Sequence, residues 1–327
     1  MTGWLKLKLI VLVNIMTDKS LIEWLLDADV SIQYQVYRDL LKADRPDLKE
    51  RISKEGWGAR FLSLQDSNGH WGSGFYLPKW ISTHYTLLDL KNLAISNQQK
   101  DIRLILNQIL HDYKSPDGGI SLVRSLSKSD VCVNGMFLNY ASYFGANENE
   151  LKSVVDCLLS SQMHDGGFNC QSDRKGAIHS SLHSTLSVIE GISEYAKNGY
   201  TYRLKELIKA EEESREFILE HKLYQSHRTG KTIDNKMLIL SYPSRWRYDI
   251  LRALDYFQST MIGLDNRMND AFDVLISKRR SDMTWPLQAK HNGQIHFDME
   301  QPGKASRWNT LRALRVLKHF GLIDRMK

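Results

Sequence analysis

The sequence predicts an all-α fold, an α/α toroid (α6/α6 barrel) of about six helical hairpins. Three observations predict it. Apolar residues recur at helical spacing along most of the chain, and a glycine-bearing turn with an apolar plug returns in phase. Neither terminal hairpin carries the polar outer face that an open stack of repeats needs, since 305–320 is as apolar and aromatic as the middle hairpins.

The elements follow in order. Residues 20–42 hold two short amphipathic helices, LIEWLLD and VSIQYQVYRDLL, broken at Ala28-Asp29. A helix from Pro46 to Leu64 leads into Gln65-Asp66-Ser67-Asn68-Gly69-His70-Trp71, a loop, and the helix ISTHYTLLDLKNLAI. Residues 101–113, the turn Ser115-Pro116-Asp117-Gly118-Gly119-Ile120 and a helix from Asp130 to Phe144 repeat that order. Residues 150–161 then lead into Gln162 to Gly191, where Asp165-Gly166-Gly167 carries Phe168 and a histidine-rich segment enters the next helix. Helices at 204–221 and 266–279 precede PSRWRYDILRALDYF and ASRWNTLRALRVLKHF, which share the string LRAL at Leu251 and Leu311.

Spacing supports the repeat. The polar residue six before each plug falls at Gln65, Lys114, Gln162, His221 and Arg279, at intervals of 49, 48, 59 and 58 residues. Glycine supplies the positive φ such turns need, and one hairpin per interval is too small to bury itself alone. Residues 16–327 therefore read as one toroid domain, with residues 1–15 as a tail and Met16 as an alternative start. In a closed ring the inner helices begin around one mouth of a central cavity.

Composition narrows the function. A net charge of +6 spread over 44 basic and 38 acidic residues leaves no run suited to nucleic acid. Cys132, Cys157 and Cys170 are few, odd in number and scattered, which fits a reducing cytoplasm. The apolar run Leu9 to Val13 is too short to span a bilayer and has no cleavage site, so a cytoplasmic protein without a membrane span is expected.

Gln65…Gly69-His70-Trp71, Gln162…Gly166-Gly167-Phe168 and the helix starts Ser82-Thr83-His84 and His183-Ser184-Thr185 resemble the repeats of the protein prenyltransferase β-subunit and terpenoid (squalene-hopene) cyclase superfamily, over roughly 60–327. The resemblance implies an α/α toroid with an apolar central funnel for an isoprenoid, and a second, helical subunit as partner. It implies that Asp130 and Cys132, in Asp130-Val131-Cys132, and His183 are catalytic Zn2+ ligands, and that Arg124 and Lys128 bind a diphosphate, Lys128 being displaced by one position. The Asp-x-Asp-Asp acid motif of class II cyclases does not occur in this sequence.

The residues themselves bear two readings. Thiolate, carboxylate and imidazole hold zinc with a fourth site open and so activate an incoming thiol; equally, Asp130 suits an N-cap and Cys132 a small core residue. His179 and His183, four apart, share a helix face and either converge on a ligand or hydrogen-bond to order the mouth. His84, with Tyr85 beside it, stands at the matching start one hairpin earlier than Cys132. Arg245-Trp246-Arg247-Tyr248 and Arg307-Trp308 open the last inner helices, where guanidinium groups and helix N-termini suit a diphosphate and the rings suit an isoprenyl chain. Stacking of these arginines on the tryptophans to lock neighbouring helices is the alternative. Asp298 and Glu300 are loop acids that could act as acid and base or hold Mg2+ with a diphosphate.

Three functions are expected in this order: a prenyltransferase-like enzyme processing an isoprenoid diphosphate in an apolar cavity; a carbohydrate-active toroid enzyme using Asp298 or Glu300 with Asp249; and a non-catalytic lipid-binding or interaction scaffold.

Overall fold

The computed structural model describes residues 19–122 and 128–326. Within them the chain is predominantly helical, and strand is confined to one antiparallel pair, β1 (Trp285–Pro286) with β2 (Ala305–Ser306), Trp285 facing Ser306. Among the described residues no helix is long and apolar enough to cross a membrane.

Two kinds of helix alternate. The first kind is buried almost all round: α2 (Val30–Gln35, prolonged by a wider turn at Val36–Leu40), α5 (Thr83–Asn92), α7 (Val131–Tyr143), α10 (Leu182–Lys197), α12 (Ile250–Ser259) and α14 (Arg307–His319). The second kind buries one stripe: α1 (Lys19–Leu26), α3 (Pro46–Arg51), α4 (Gly56–Leu62), α6 (Lys100–Asp112), α8 (Glu148–Ser160), α11 (Leu204–Glu220) and α13 (Asn269–Ser277). In α6 that stripe is Ile102, Ile105, Leu106, Ile109 and Leu110, the spacing of a one-sided helix. A single turn at Ser172–Lys175, α9, completes the set.

The repeated turn has one construction. The backbone N–H of each plug is held by a side chain of the following buried helix: Trp71 by Thr83 Oγ1 at 3.0 Å, Ile120 by Asn134 Oδ1 at 2.6 Å, Phe168 by Thr185 Oγ1 at 3.0 Å and Trp285 by Thr310 Oγ1 at 2.9 Å. Gln65 and Gln162 donate Nε2 to the carbonyls of Gly69 and Gly166. The plug amides are thus paired, which removes the penalty of burying them.

Two expectations need correction. The helix expected from Pro46 to Leu64 breaks into α3 and α4, because Gly56 takes φ +65° and Trp57 N–H turns to Asp29 Oδ2 at 2.8 Å. In the fifth hairpin no plug stands six residues after His221. His227 is exposed there, in a loop closed by a bridge between Gln225 and Thr232, while Lys222 and Leu223 carry the positive φ.

The two ends of the described chain meet. Arg307 Nε donates to Trp24 O at 3.1 Å, Trp308 stacks on Trp57 with ring centroids 6.1 Å apart, and Lys318 donates to Leu40 O. One apolar cluster runs from Leu21 to Ile323.

Candidate functional site

The segments leading into α5 and α12 and the start of α10 come together, by ring stacking more than by ion ligation. Lys79 lies 5.1 Å from the centre of the Trp246 ring and 4.9 Å from that of Trp80, and Arg245 lies 4.6 Å from the Trp80 ring. Tyr85 OH and Tyr76 OH are 3.2 Å apart. His84 is fully buried, its Nδ1 3.0 Å from Tyr140 OH, and burial, reinforced by Lys79, pulls its pKa down to about 3. Its Nε2 is buried and has no hydrogen-bond partner.

Asp130, Cys132 and His183 are not gathered into one set. His183 Nδ1 accepts the Tyr248 N–H at 2.8 Å and the ring lies against Trp246, so this nitrogen is committed to the next hairpin. Burial, then Arg252 and Arg247, lower its pKa to about 4. Cys132 meets Cys170 instead: their hydrogen bond, followed by burial, raises the Cys132 thiol, and the same contact together with Ser184 lowers Cys170. Ser184 Oγ lies 3.5 Å from Cys170 Sγ. Among the described residues no three His, Cys, Asp or Glu side chains stand together as a metal would need. The zinc triad implied by the resemblance therefore does not fit this arrangement. Asp130 does occupy the N-cap position of α7, but its side chain makes no capping bond there, and its carbonyl accepts Asn134 N–H at 3.0 Å.

Other expectations shift for local reasons. His179 precedes α10, which begins at Leu182, so it shares no helix face with His183; it is exposed and lies 4.0 Å from Asp165. Arg245-Trp246-Arg247-Tyr248 precede α12, whose N-cap is Asp249, accepting Arg252 N–H at 2.9 Å. Arg247 lies over Trp246, and Tyr248 is buried with its hydroxyl on Leu223 O. Arg307 does open α14, lying over Trp24. Glu300 accepts from Arg307 N at 2.6 Å, Trp308 N and Ser306 Oγ, and Asp298 pairs with Lys290 at 2.7 Å. Glu300 and Asp249 are thus engaged in starting helices and are not free as an acid and base pair. Lys128 is exposed, and Arg124 lies outside the described residues.

A cavity lies at the opposite ends of the same helices. It encloses about 450 Å³ and is lined from α2 by Tyr34 and Gln35, from α5 by Lys91 and Asn92, from α7 by Asn139 and Tyr143, from α10 by Glu190 and Glu194, from α12 by Arg252 and Asp255, and from α14 by Trp308, Arg312 and Arg315. Tyr242 and Arg245 close its floor; Arg38, Lys197 and Ser259, all exposed, stand at its opening. The expected apolar funnel is not what lines it. Charged side chains project inward because they pair across neighbouring helices: Arg252 with Glu190 at 2.6 Å, Arg312 with Asp255 at 3.1 Å, Lys91 with Glu194 at 3.0 Å, and Arg315 with both Asp255 and Asp39.

Basic side chains outnumber acidic ones on this wall, Arg38, Lys49, Lys91, Lys197, Arg245, Arg252, Arg312 and Arg315 facing Asp39, Glu190, Glu194 and Asp255. Converging helix C-termini carry partial negative charge and offset some of the excess. What remains is specific: Arg245 Nε, Arg312 Nη1 and Asn139 Oδ1 are buried and have no hydrogen-bond partner. Behind the floor, a smaller pocket is lined by Asp89, Tyr242, Arg245, His291 and His296. Asp89 is fully enclosed there with Oδ1 unpartnered, and burial raises its pKa to about 7, Arg245 acting weakly against it.

Reasoning from helix starts missed this wall. The available signal was a charge inside an otherwise apolar helix, as in Leu251-Arg252-Ala253-Leu254 and Leu311-Arg312-Ala313-Leu314, since such a residue is kept only where it finds a partner. In comparisons with known proteins, the sequence matches no family model and no curated protein.

Proposed function

We propose that the hairpins close into an α/α toroid and that its chamber binds a polar small molecule carrying an anionic group. Closure is supported by the seating of α14 on α1 and α2, and by one cavity taking its wall from the first buried helix, the last and the four between. The observation that carries the ligand reading is that two buried, unpartnered guanidinium N–H groups, Arg245 Nε and Arg312 Nη1, belong to residues lining that cavity, as does Asn139, whose Oδ1 is an unpartnered acceptor. A buried donor without a partner costs about 1–3 kcal/mol, which a ligand oxygen would recover. Guanidinium forks suit phosphate and carboxylate.

The isoprenoid-diphosphate reading keeps its head group here and loses its hydrocarbon funnel. A prenyl chain against Glu190, Glu194, Asp255 and five arginines would desolvate charge without pairing it. Titration calorimetry with inorganic diphosphate and with farnesyl diphosphate tests this. Diphosphate should bind, Arg312→Met should weaken it about tenfold, equivalent to one lost charged hydrogen bond, and the farnesyl chain should add less than that factor. Absence of diphosphate binding, or a larger gain from the chain, overturns the reading.

A further inference from the structure

The helix-start rim carries exposed apolar side chains that its packing does not explain. Leu77, Ile178 and Ile233 are 59%, 69% and 46% exposed, on three different loops that lead toward α5, α10 and α12. The loops belong to one end of the molecule. Tyr248 N–H reaches His183 Nδ1, Lys79 lies over Trp246, and the Asp234 carboxylate acts on His183 from beside Ile233. The chamber opens at the other end.

Each apolar tip has a basic residue two or three positions away: Lys79 after Leu77, Lys175 before Ile178, Lys231 before Ile233. Lys175, Arg228, Lys231 and Lys236 are exposed, and none pairs with a carboxylate among the described residues. The acids nearby are turned to backbone, Asp165 accepting Ser180 N–H at 2.9 Å and Asp234 accepting Lys236 N–H at 2.8 Å. Isolated apolar tips standing among unpaired cations match a surface that is anionic outside and apolar a few ångströms in. A protein partner would favour a continuous apolar patch, and nucleic acid would not favour the leucine and isoleucines.

We propose that this rim docks on an anionic lipid surface, with Leu77, Ile178 and Ile233 entering the headgroup boundary and Lys175, Arg228, Lys231 and Lys236 facing the headgroups. The docking does not depend on what the chamber binds. Charge attraction and apolar insertion act together, because each is weak alone.

Sedimentation of the full chain with phosphatidylcholine vesicles, with and without phosphatidylglycerol, tests it. Binding is expected only to the anionic vesicles and is lost in high salt. Arg228→Glu with Lys231→Glu should reduce it about tenfold or more, as expected from removing the attraction of two basic residues. Ile178→Ser with Ile233→Ser should also reduce it, while the far-UV circular dichroism of each variant stays that of the parent. No binding, binding equal on neutral vesicles, or binding that survives both pairs of substitutions overturns the proposal.

Discussion

Arg315 donates Nη1 to Asp39 Oδ2 at 2.9 Å, across 276 positions of sequence, while its Nε bonds Asp255 Oδ1 at 2.6 Å. The three side chains are 12–16% exposed, so the guanidinium neutralises two largely buried carboxylates from different hairpins. Arg315→Met keeps most of the volume and strands both acids. Because Arg38 and Arg312 remain, the cost should fall near the lower end for a broken buried pair, about 3 kcal/mol. Urea unfolding measures it, and a loss under about 1 kcal/mol would show that the ends hold together without this pair.

Acid should loosen the same junction. Burial alone would raise Asp39 and Asp255, but Arg38 and Arg315 for the first, and Arg315 and Arg312 for the second, outweigh it and hold both below the usual carboxylate range. A depressed folded pKa means the stabilisation is complete above the unfolded value and is lost as pH falls through the folded one. Stability should therefore drop below about pH 4, and Asp255→Asn should flatten that drop. Melting temperatures from pH 2 to 6 for both proteins decide it; parallel curves would contradict the assignment.

Asp89 should act in the opposite direction. Its folded pKa of about 7 lies above the unfolded value, so the folded state is penalised as pH rises between about 4 and 7. Over that window the parent should lose on the order of 4 kcal/mol relative to Asp89→Asn. The comparison is made by urea unfolding at both ends of the window. Equal pH dependence in the two proteins would show that Asp89 is already ionised in the fold.

Gly135 and Gly191 set the spacing of α7 and α10. A Cβ on Gly135 would lie 2.6 Å from Ser187 O, and one on Gly191 would lie 2.3 Å from Gly135 O, both backbone atoms that cannot step aside. Gly135→Ala should destabilise by about 1–3 kcal/mol despite the better helix propensity of alanine. Gly191→Ala should do the same. Thermal unfolding of either variant at or above the parent's temperature would mean the helices separate at no cost.

The helical character and the repeated turn were legible because each rests on short-range pattern: apolar spacing, a glycine at positive φ, and a Thr or Asn that holds the plug. The turn after His221 was not, since its loop closes by a bridge between Gln225 and Thr232 and leaves exposed His227 where the plug was expected. At the candidate site, sequence pattern singled out Trp246, His183 and Tyr248 but not Lys79, which lies over the Trp246 ring. It could not tell that His183 would be spent on a backbone amide, because that partner lies 65 positions away. The charged chamber wall escaped for a similar reason. Arg252, Asp255, Arg312 and Arg315 look like solvated residues until their partners on neighbouring helices are known.

The floor of the cavity, where Trp308 stacks on Tyr242 at 4.7 Å and Arg245 covers Trp80, has a kinetic corollary. We infer that it closes the interior at this end, leaving a cul-de-sac reached past the exposed Arg38, Lys197 and Ser259. Traffic through a dead-end passage is single file. Whatever leaves must do so before its successor arrives, and a bulky second occupant would trap the first.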